Sequence, residues 1–258
     1  MSTENSKAID VKTIGQVAVV SYDRGYRHNA LSLRVIKELT HIAESFKDNP
    51  DVSCVILTGT KTEFSAGVDL KDPDRWEVSD LSFDELRILY SWGPRMCKAW
   101  EDIPQLTIAA VEGLNIGGGV ALTVSCDWRV VGRSSYFFVP EAQIGIPLGW
   151  QTIPRLNTLV GGSRTKQIIL LGDKIDSETA LDWGLVDWVV GDGEALNTAV
   201  SLAEKVGRTT GAIVKMTKQG VNAHSHALNQ VSSYMDIDQL LMCSQGSEAK
   251  TSRAKFKK

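Results

Sequence analysis

Three consecutive glycines, Gly117, Gly118 and Gly119, stand between Asn115-Ile116 and the apolar stretch Val120 to Cys126. Just upstream, Leu106 to Val111 is an apolar run of strand length. The pattern reads as a buried strand that turns into a helix across a glycine hinge. Glycine permits unusual backbone angles and lets another molecule approach the chain closely. The first amides of a helix lack internal acceptors and carry the positive end of its dipole. Bare N–H donors then face a space that no side chain fills. Such a space suits a phosphate, a carboxylate, or an oxygen that gains negative charge during a reaction. Taken alone, the run reads more simply as a tight junction that needs small residues to pack. A second glycine-bearing segment, Phe64-Ser65-Ala66-Gly67-Val68-Asp69-Leu70, changes that balance, because it too follows an apolar strand.

The elements that must position these segments follow from periodicity. Val11 to Tyr22 reads as a hairpin around Gly15, and Val52 to Thr58 as a strand buried on both faces. Between them Ser32 caps a helix in which Leu33, Ile36, Leu39, Ala43 and Phe46 recur at helical spacing. Residues 71–84 carry charge and one proline without a pattern, and are expected as a loop. Phe83 to Trp100 is helical, interrupted at Gly93-Pro94. Short strands are expected at 127–131, 136–139 and 186–190, with a loop over 140–153. Helices are expected over 163–171, 178–183 (capped by Ser177), 194–206, 209–222, 228–243 and 247–256. Alternating strands and helices through residue 190 mean an α/β core with parallel strands.

Of the 258 residues, 43% are apolar and 23% charged, with a net charge of −3, so no broad attraction to nucleic acid is expected. Four cysteines without metal spacing fit free thiols in a reducing compartment. The N-terminus has no apolar signal core and no run reaches membrane-spanning length, so a cytoplasmic protein is expected. His224 and His226 lack acidic partners at ligand spacing, and no metal is expected. A Rossmann-type nucleotide site does not fit, because the glycines are contiguous and sit late in the chain.

Phe64–Leu70 and Asn115–Leu122 together resemble two motifs of the enoyl-CoA hydratase/isomerase family, also called the crotonase family. Arg27-His28-Asn29-Ala30-Leu31-Ser32 is similar to that family's entry to the first helix. Cys126–Arg129, Pro140–Ile146, Ala180–Asp187 and Glu248–Lys250 with Phe256 resemble further segments, in order along the chain. The resemblance implies a spiral of β-β-α turns over residues 1–192 and a C-terminal helical region, 193–258, that builds homotrimers or dimers of trimers. It implies an acyl-CoA substrate, so that coenzyme A arrives with the substrate and no separate cofactor is needed. The backbone N–H groups of Ala66 and Gly118 would grip the thioester oxygen. Losing one such donor costs roughly 3–4 kcal/mol of transition-state stabilisation. Arg27, His28, Ala30, Gly67, Val68, Asp69, Leu70, Gly117, Trp150 and Phe256 would complete the thioester and coenzyme contacts. Asp69 reads more simply as a cap, and Arg27 and His28 equally as part of a solvated loop.

Hydratases of the family use two glutamates, one two residues past the third glycine and one in the Pro-Glu loop. Here the first position is Ala121 and only the second, Glu141, is present. Hydration is naturally shared between two carboxylates, whereas moving a double bond from β,γ to α,β needs one proton lifted and returned. Glu141 follows Tyr136-Phe137-Phe138-Val139-Pro140, and apolar surroundings raise a carboxyl pKa toward the working range. Its structural alternative is a cap on the next turn or a pairing with Arg155 or Arg164. The expected activity is therefore enoyl-CoA isomerisation. The alternatives are hydration, another enolate-forming reaction of the family, or a non-catalytic relative that binds acyl-CoA or RNA. Tyr90, Trp92, Trp100 and Trp150 are candidates for the acyl pocket.

Overall fold

The apolar runs assemble into two sheets. The computed structural model describes residues 8–246 and Thr251. One sheet takes β1 (Ile9–Ile14), β2 (Val17–Tyr22), β3 (Cys54–Thr58), β5 (Leu106–Val111), β7 (Trp128–Gly132) and β10 (Trp188–Val190), in that spatial order. β1 and β2 form an antiparallel hairpin and every later pair is parallel. The second sheet takes β4 (Glu63–Ser65), β6 (Leu114–Ile116), β8 (Tyr136–Phe138) and β9 (Ile175–Asp176). Successive turns of the chain give one strand to each sheet: β3 then β4, β5 then β6, β7 then β8. This is the spiral that the family resemblance implied.

The helices are α1 (Leu33–Ser45), α2 (Pro73–Trp76), α3 (Phe83–Tyr90), α4 (Trp92–Glu101), α5 (Gly118–Thr123), α6 (Thr152–Leu171), α7 (Ser177–Trp183), α8 (Ala195–Val206), α9 (Gly211–Ser225), α10 (Asn229–Ser233) and α11 (Asp236–Gln245). They explain why β3 and β5 are apolar without alternation. Val55, Leu57, Ala109 and Val111 join Ile36 and Leu39 of α1 on one face of the large sheet. Cys54, Ile56, Ile108 and Ala110 join Ala195, Ala199 and Ala203 of α8 on the other. With both faces covered, a polar residue at either parity is buried and needs a partner, as Thr107 of β5 finds by donating from Oγ1 to Asp127 Oδ2 at 2.9 Å. The small alanines let α8 lie close against the strands. Two of the resembling segments meet in space: Arg129 Nη2 pairs with Asp187 Oδ2 at 2.8 Å, and Asp187 N–H donates to the Arg129 carbonyl at 3.0 Å.

Several elements differ from expectation, each for a local reason. β4 and β6 are three residues long, too short for periodicity to reveal. The glycine run therefore hangs from β6 of the small sheet, not from β5. Residues 71–84 hold a helical turn, α2, with Asp72 accepting from Asp74 N–H at 3.2 Å and Pro73 at its first position. The break expected at Gly93-Pro94 falls at Ser91, because a proline in the first turn removes no helical hydrogen bond. For the same reason Pro154 does not exclude a helix, and α6 starts at Thr152; it is kinked at Gly161, where φ is 77°. Asp176, not Ser177, caps α7. The helix expected over 228–243 is divided into α10 and α11. The expected helix 247–256, with Phe256, lies outside the described residues. Among the described residues no helix is long and apolar enough to cross a membrane.

Candidate active site

The two glycine-bearing segments meet backbone to backbone. Gly67 has φ of 81°, and a Cβ built there would lie 2.7 Å from the Ile116 carbonyl oxygen and 3.3 Å from the Gly118 nitrogen. No other residue type fits both the angle and the approach. Gly118 opens α5, so its N–H has no acceptor within the helix. Gly119 packs on Asn115, whose Oδ1 would be 2.6 Å from an added Cβ.

In the first segment the Ala66 N–H donates to the His28 carbonyl at 2.9 Å, and the Gly67 N–H to Ser65 Oγ at 3.1 Å. The Asp69 N–H donates to the Leu31 carbonyl at 3.0 Å. Ala66 is thus committed, which corrects the expectation that it supplies the first donor. The Val68 N–H has no partner among the described residues. The Val68 side chain stands beside Gly118, whose added Cβ would come 3.2 Å from Val68 Cγ2. Strand pairing decides this: Val68 bridges Leu31, so the Gly67 carbonyl accepts from the Leu31 N–H at 2.7 Å and the Asp69 N–H donates to the Leu31 carbonyl, leaving the Val68 N–H on the opposite side.

Glu141 lies across the same cavity. Its Oε1 is 2.6 Å from where a Gly117 Cβ would sit, and Gly117 holds φ of 49°. Neither Arg155 nor Arg164 pairs with it: Arg155 is bound to Glu101 and Arg164 faces Asp182. The residue keeps some exposure, yet Oε2 is sealed from solvent and has no hydrogen-bond partner. Burial pushes the carboxyl up from 4.5 to about 7. Ala121, where a second glutamate would stand, is buried in the cavity wall.

Trp150 closes one side. Its ring edge would touch a Cβ on Gly118 at 2.9 Å, and the same ring covers Gly93. Trp150 and Gln151 both hold left-handed backbone angles, with φ of 62° and 58°. Neighbours hold that turn: Arg155 Nη1 donates to the Trp150 carbonyl at 2.7 Å, and the Gln151 N–H donates to Asp236 Oδ2 at 2.8 Å. Asp236 also lines the cavity, and burial raises its pKa.

The structure therefore brings Ala66, Gly67, Val68, Leu70, Gly117, Gly118, Glu141 and Trp150 to one cavity. Tyr90 joins them, while Trp100 is core and Trp92 packs on His41. Ala30 is buried with its carbonyl accepting from Arg24 Nη1 at 2.7 Å. Arg27 and His28 border a separate shallow cleft, Arg27 paired with Asp69 at 2.7 Å and His28 with Glu63 at 2.7 Å. Sequence reasoning missed Arg75 and Asp236. Arg75 sat in an apparently unpatterned stretch, and Asp236 reaches the cavity only because the chain breaks between α10 and α11.

Asp69 anchors the loop that presents Val68. Its buried carboxylate accepts from Arg24 at 2.9 Å and Arg27 at 2.7 Å. Burial pushes its pKa up, but the hydrogen bonds from Arg27 and Arg24 outweigh that and hold it below the usual range. A depressed carboxylate contributes stability above its unfolded pKa, and that contribution is lost as pH falls through the folded value. The melting temperature of Asp69→Asn should lie below that of the native chain at neutral pH, and the gap should close under acid. A gap that is constant with pH would remove the charge pairing from the account.

Residues 12–258 match the sequence model of the enoyl-CoA hydratase/isomerase family. A short-chain-enoyl-CoA hydratase of Clostridium acetobutylicum is 34% identical over 209 residues, covering 81% of this chain and 78% of that protein. A mitochondrial enoyl-CoA hydratase of Pongo abelii is 32% identical over 210 residues, covering 80% and 69%. Among solved structures, an enoyl-CoA hydratase of Bacillus anthracis superposes with a TM-score of 0.78 at 28% identity, covering 88% of this chain and 90% of that one. One from Mycobacterium avium subsp. paratuberculosis, at 21% identity, shares the fold with a TM-score of 0.86 over 97% and 96% of the two chains.

Proposed function

The chain belongs to the enoyl-CoA hydratase/isomerase family, and on that premise we propose that it shifts the double bond of an enoyl-CoA from β,γ to α,β. The observation that carries this reading is the pairing of Ala121 with a single sealed carboxyl, Glu141, beside the glycine-lined amides. The thioester oxygen accepts from the Val68 and Gly118 N–H groups. Ionised Glu141 takes the proton from the α-carbon, and the electrons pass through the carbonyl to give a dienolate. The same carboxyl returns the proton to the γ-carbon, leaving the double bond between the α- and β-carbons. A carboxyl with pKa near 7 is matched to both halves of that exchange. Two fixed N–H groups in a site with little water stabilise the enolate oxygen without reorganising.

A second reading, hydration of an α,β-enoyl-CoA, is favoured by Asp236. It offers a second carboxyl to the same cavity, and the relatives above are named hydratases. Assaying a β,γ-enoyl-CoA and an α,β-enoyl-CoA of equal length side by side separates the two. Isomerisation faster than hydration is expected; hydration without isomerisation would replace the first reading with the second.

The same proposal includes self-association. Met216, Val221, Leu228, Val231, Tyr234 and Met242 of the C-terminal region are large apolar residues left exposed on the single chain. A trimer, or two trimers together, is the expected mass in solution by light scattering.

A further inference from the structure

Among the charged residues that line the cavity, Arg75 is used by neither reading of the chemistry. It sits in the single turn of α2 and is 2% exposed. Its Nε and Nη1 have no hydrogen-bond partner among the described residues. Three rings surround the guanidinium: Tyr90, Trp76 and Trp150 lie 5.1, 5.7 and 5.9 Å from its Cζ. Asp72 acts on it through space, but that carboxylate already accepts from the Leu33 N–H at 2.6 Å and the Asp74 N–H at 3.2 Å. Burial pushes the arginine down to about 10, which still leaves it charged at neutral pH.

A buried cation with unmet donors is costly, and ring stacking satisfies its charge without satisfying its N–H groups. An acyl pocket made only for hydrocarbon would be better served by leucine or methionine there. The planar fork of a guanidinium matches a carboxylate with two parallel hydrogen bonds. Its distance from the reacting centre is also defined. The Trp150 indole touches the Gly118 position with one edge, and Arg75 lies against the same indole. One ring therefore separates the thioester grip from the cation.

We propose that Arg75 receives a carboxylate at the far end of the acyl group, so that the substrate is a short dicarboxylic acyl-CoA rather than a simple fatty acyl-CoA. This rests on the acyl-CoA reading above and adds the chemical class of the acyl chain.

The test is binding, and it does not depend on turnover. Calorimetry with the full chain compares two saturated thioesters of equal length, hexanoyl-CoA and adipoyl-CoA, and then pentanoyl-CoA and glutaryl-CoA. In at least one pair the diacid should bind about tenfold more tightly or better, the increment expected of a charge-assisted pair in a dry site. In Arg75→Met that ratio should fall to about one or below, for the reason that the fork is gone. Equal or weaker binding of both diacids to the native chain overturns the proposal, as does a preference that survives Arg75→Met. Should Arg75→Met fail to fold, Arg75→Lys keeps the charge and loses the fork; it should cut the ratio at least about threefold, and an unchanged ratio overturns the assignment. If no thioester binds at all, the acyl-CoA reading fails, an outcome distinct from binding without a diacid preference.

Discussion

Replacing Glu141 with glutamine is expected to lower turnover by about 10²–10⁴ while acyl-CoA still binds. The carboxyl stands next to Gly117, and its Oε2 is sealed from solvent and has no hydrogen-bond partner among the described residues. Glutamine keeps the shape and cannot accept that proton. The base must be ionised to act, so kcat/KM should rise with pH and level off above about 7, where burial has placed the group. The sign for stability is opposite. Between the carboxyl's unfolded pKa and about 7 the native state holds a proton that the unfolded state has lost, so stability falls across that window as pH rises. Glu141→Gln should flatten that slope and melt higher than the native chain at neutral pH. Turnover within threefold of native, or an unaltered pH profile, would remove Glu141 from the reaction.

Gly118→Ala is expected to lower kcat/KM by about 10²–10³, comparable to loss of one oxyanion donor. The backbone angles at this position are ordinary, so the effect comes from crowding. An added Cβ would lie 2.9 Å from Trp150 Cζ3 and 3.2 Å from Val68 Cγ2. The indole cannot retreat, because Gly93 lies under its other edge, with an added Cβ there only 2.0 Å from Trp150 Cε2. The methyl group must therefore push the Val68 and Gly118 segments apart, and a displacement on the order of 1 Å can cost about 10²-fold. The amide itself remains, so the loss measures geometry. Combining Gly118→Ala with Trp150→Phe should recover part of the activity, since the smaller ring relieves the contact. An alanine variant with native kcat/KM would mean that the thioester does not sit at this amide.

The parallel α/β core was legible because its determinants are local, whereas the spiral came only from the family resemblance. Ser32 accepts from the Val35 N–H at 3.3 Å and starts α1 where the sequence indicated. β3 and β5 are apolar at both parities because helices cover both faces. β4 and β6 left no periodic trace because three residues are too few to carry one. Pro154 and Pro73 disguised helix starts as loops, because a proline at a helix start and a proline in a turn look alike in one dimension.

The sequence by itself determined which residue types are available: a glycine pair for close approach, one carboxyl in the Pro-Glu loop, and alanine where a second could stand. Tertiary structure decided which of them face one another. The N–H left without a partner is that of Val68 rather than Ala66, because the Ala66 N–H donates to the His28 carbonyl, the Gly67 N–H to Ser65 Oγ and the Asp69 N–H to the Leu31 carbonyl. Arg75 and Asp236 reach the cavity from segments without a pattern of their own, carried there by α2 and by the start of α11. Hydrogen-bond partners and desolvation are properties of neighbours in space, and neighbours in space are what a linear pattern does not record.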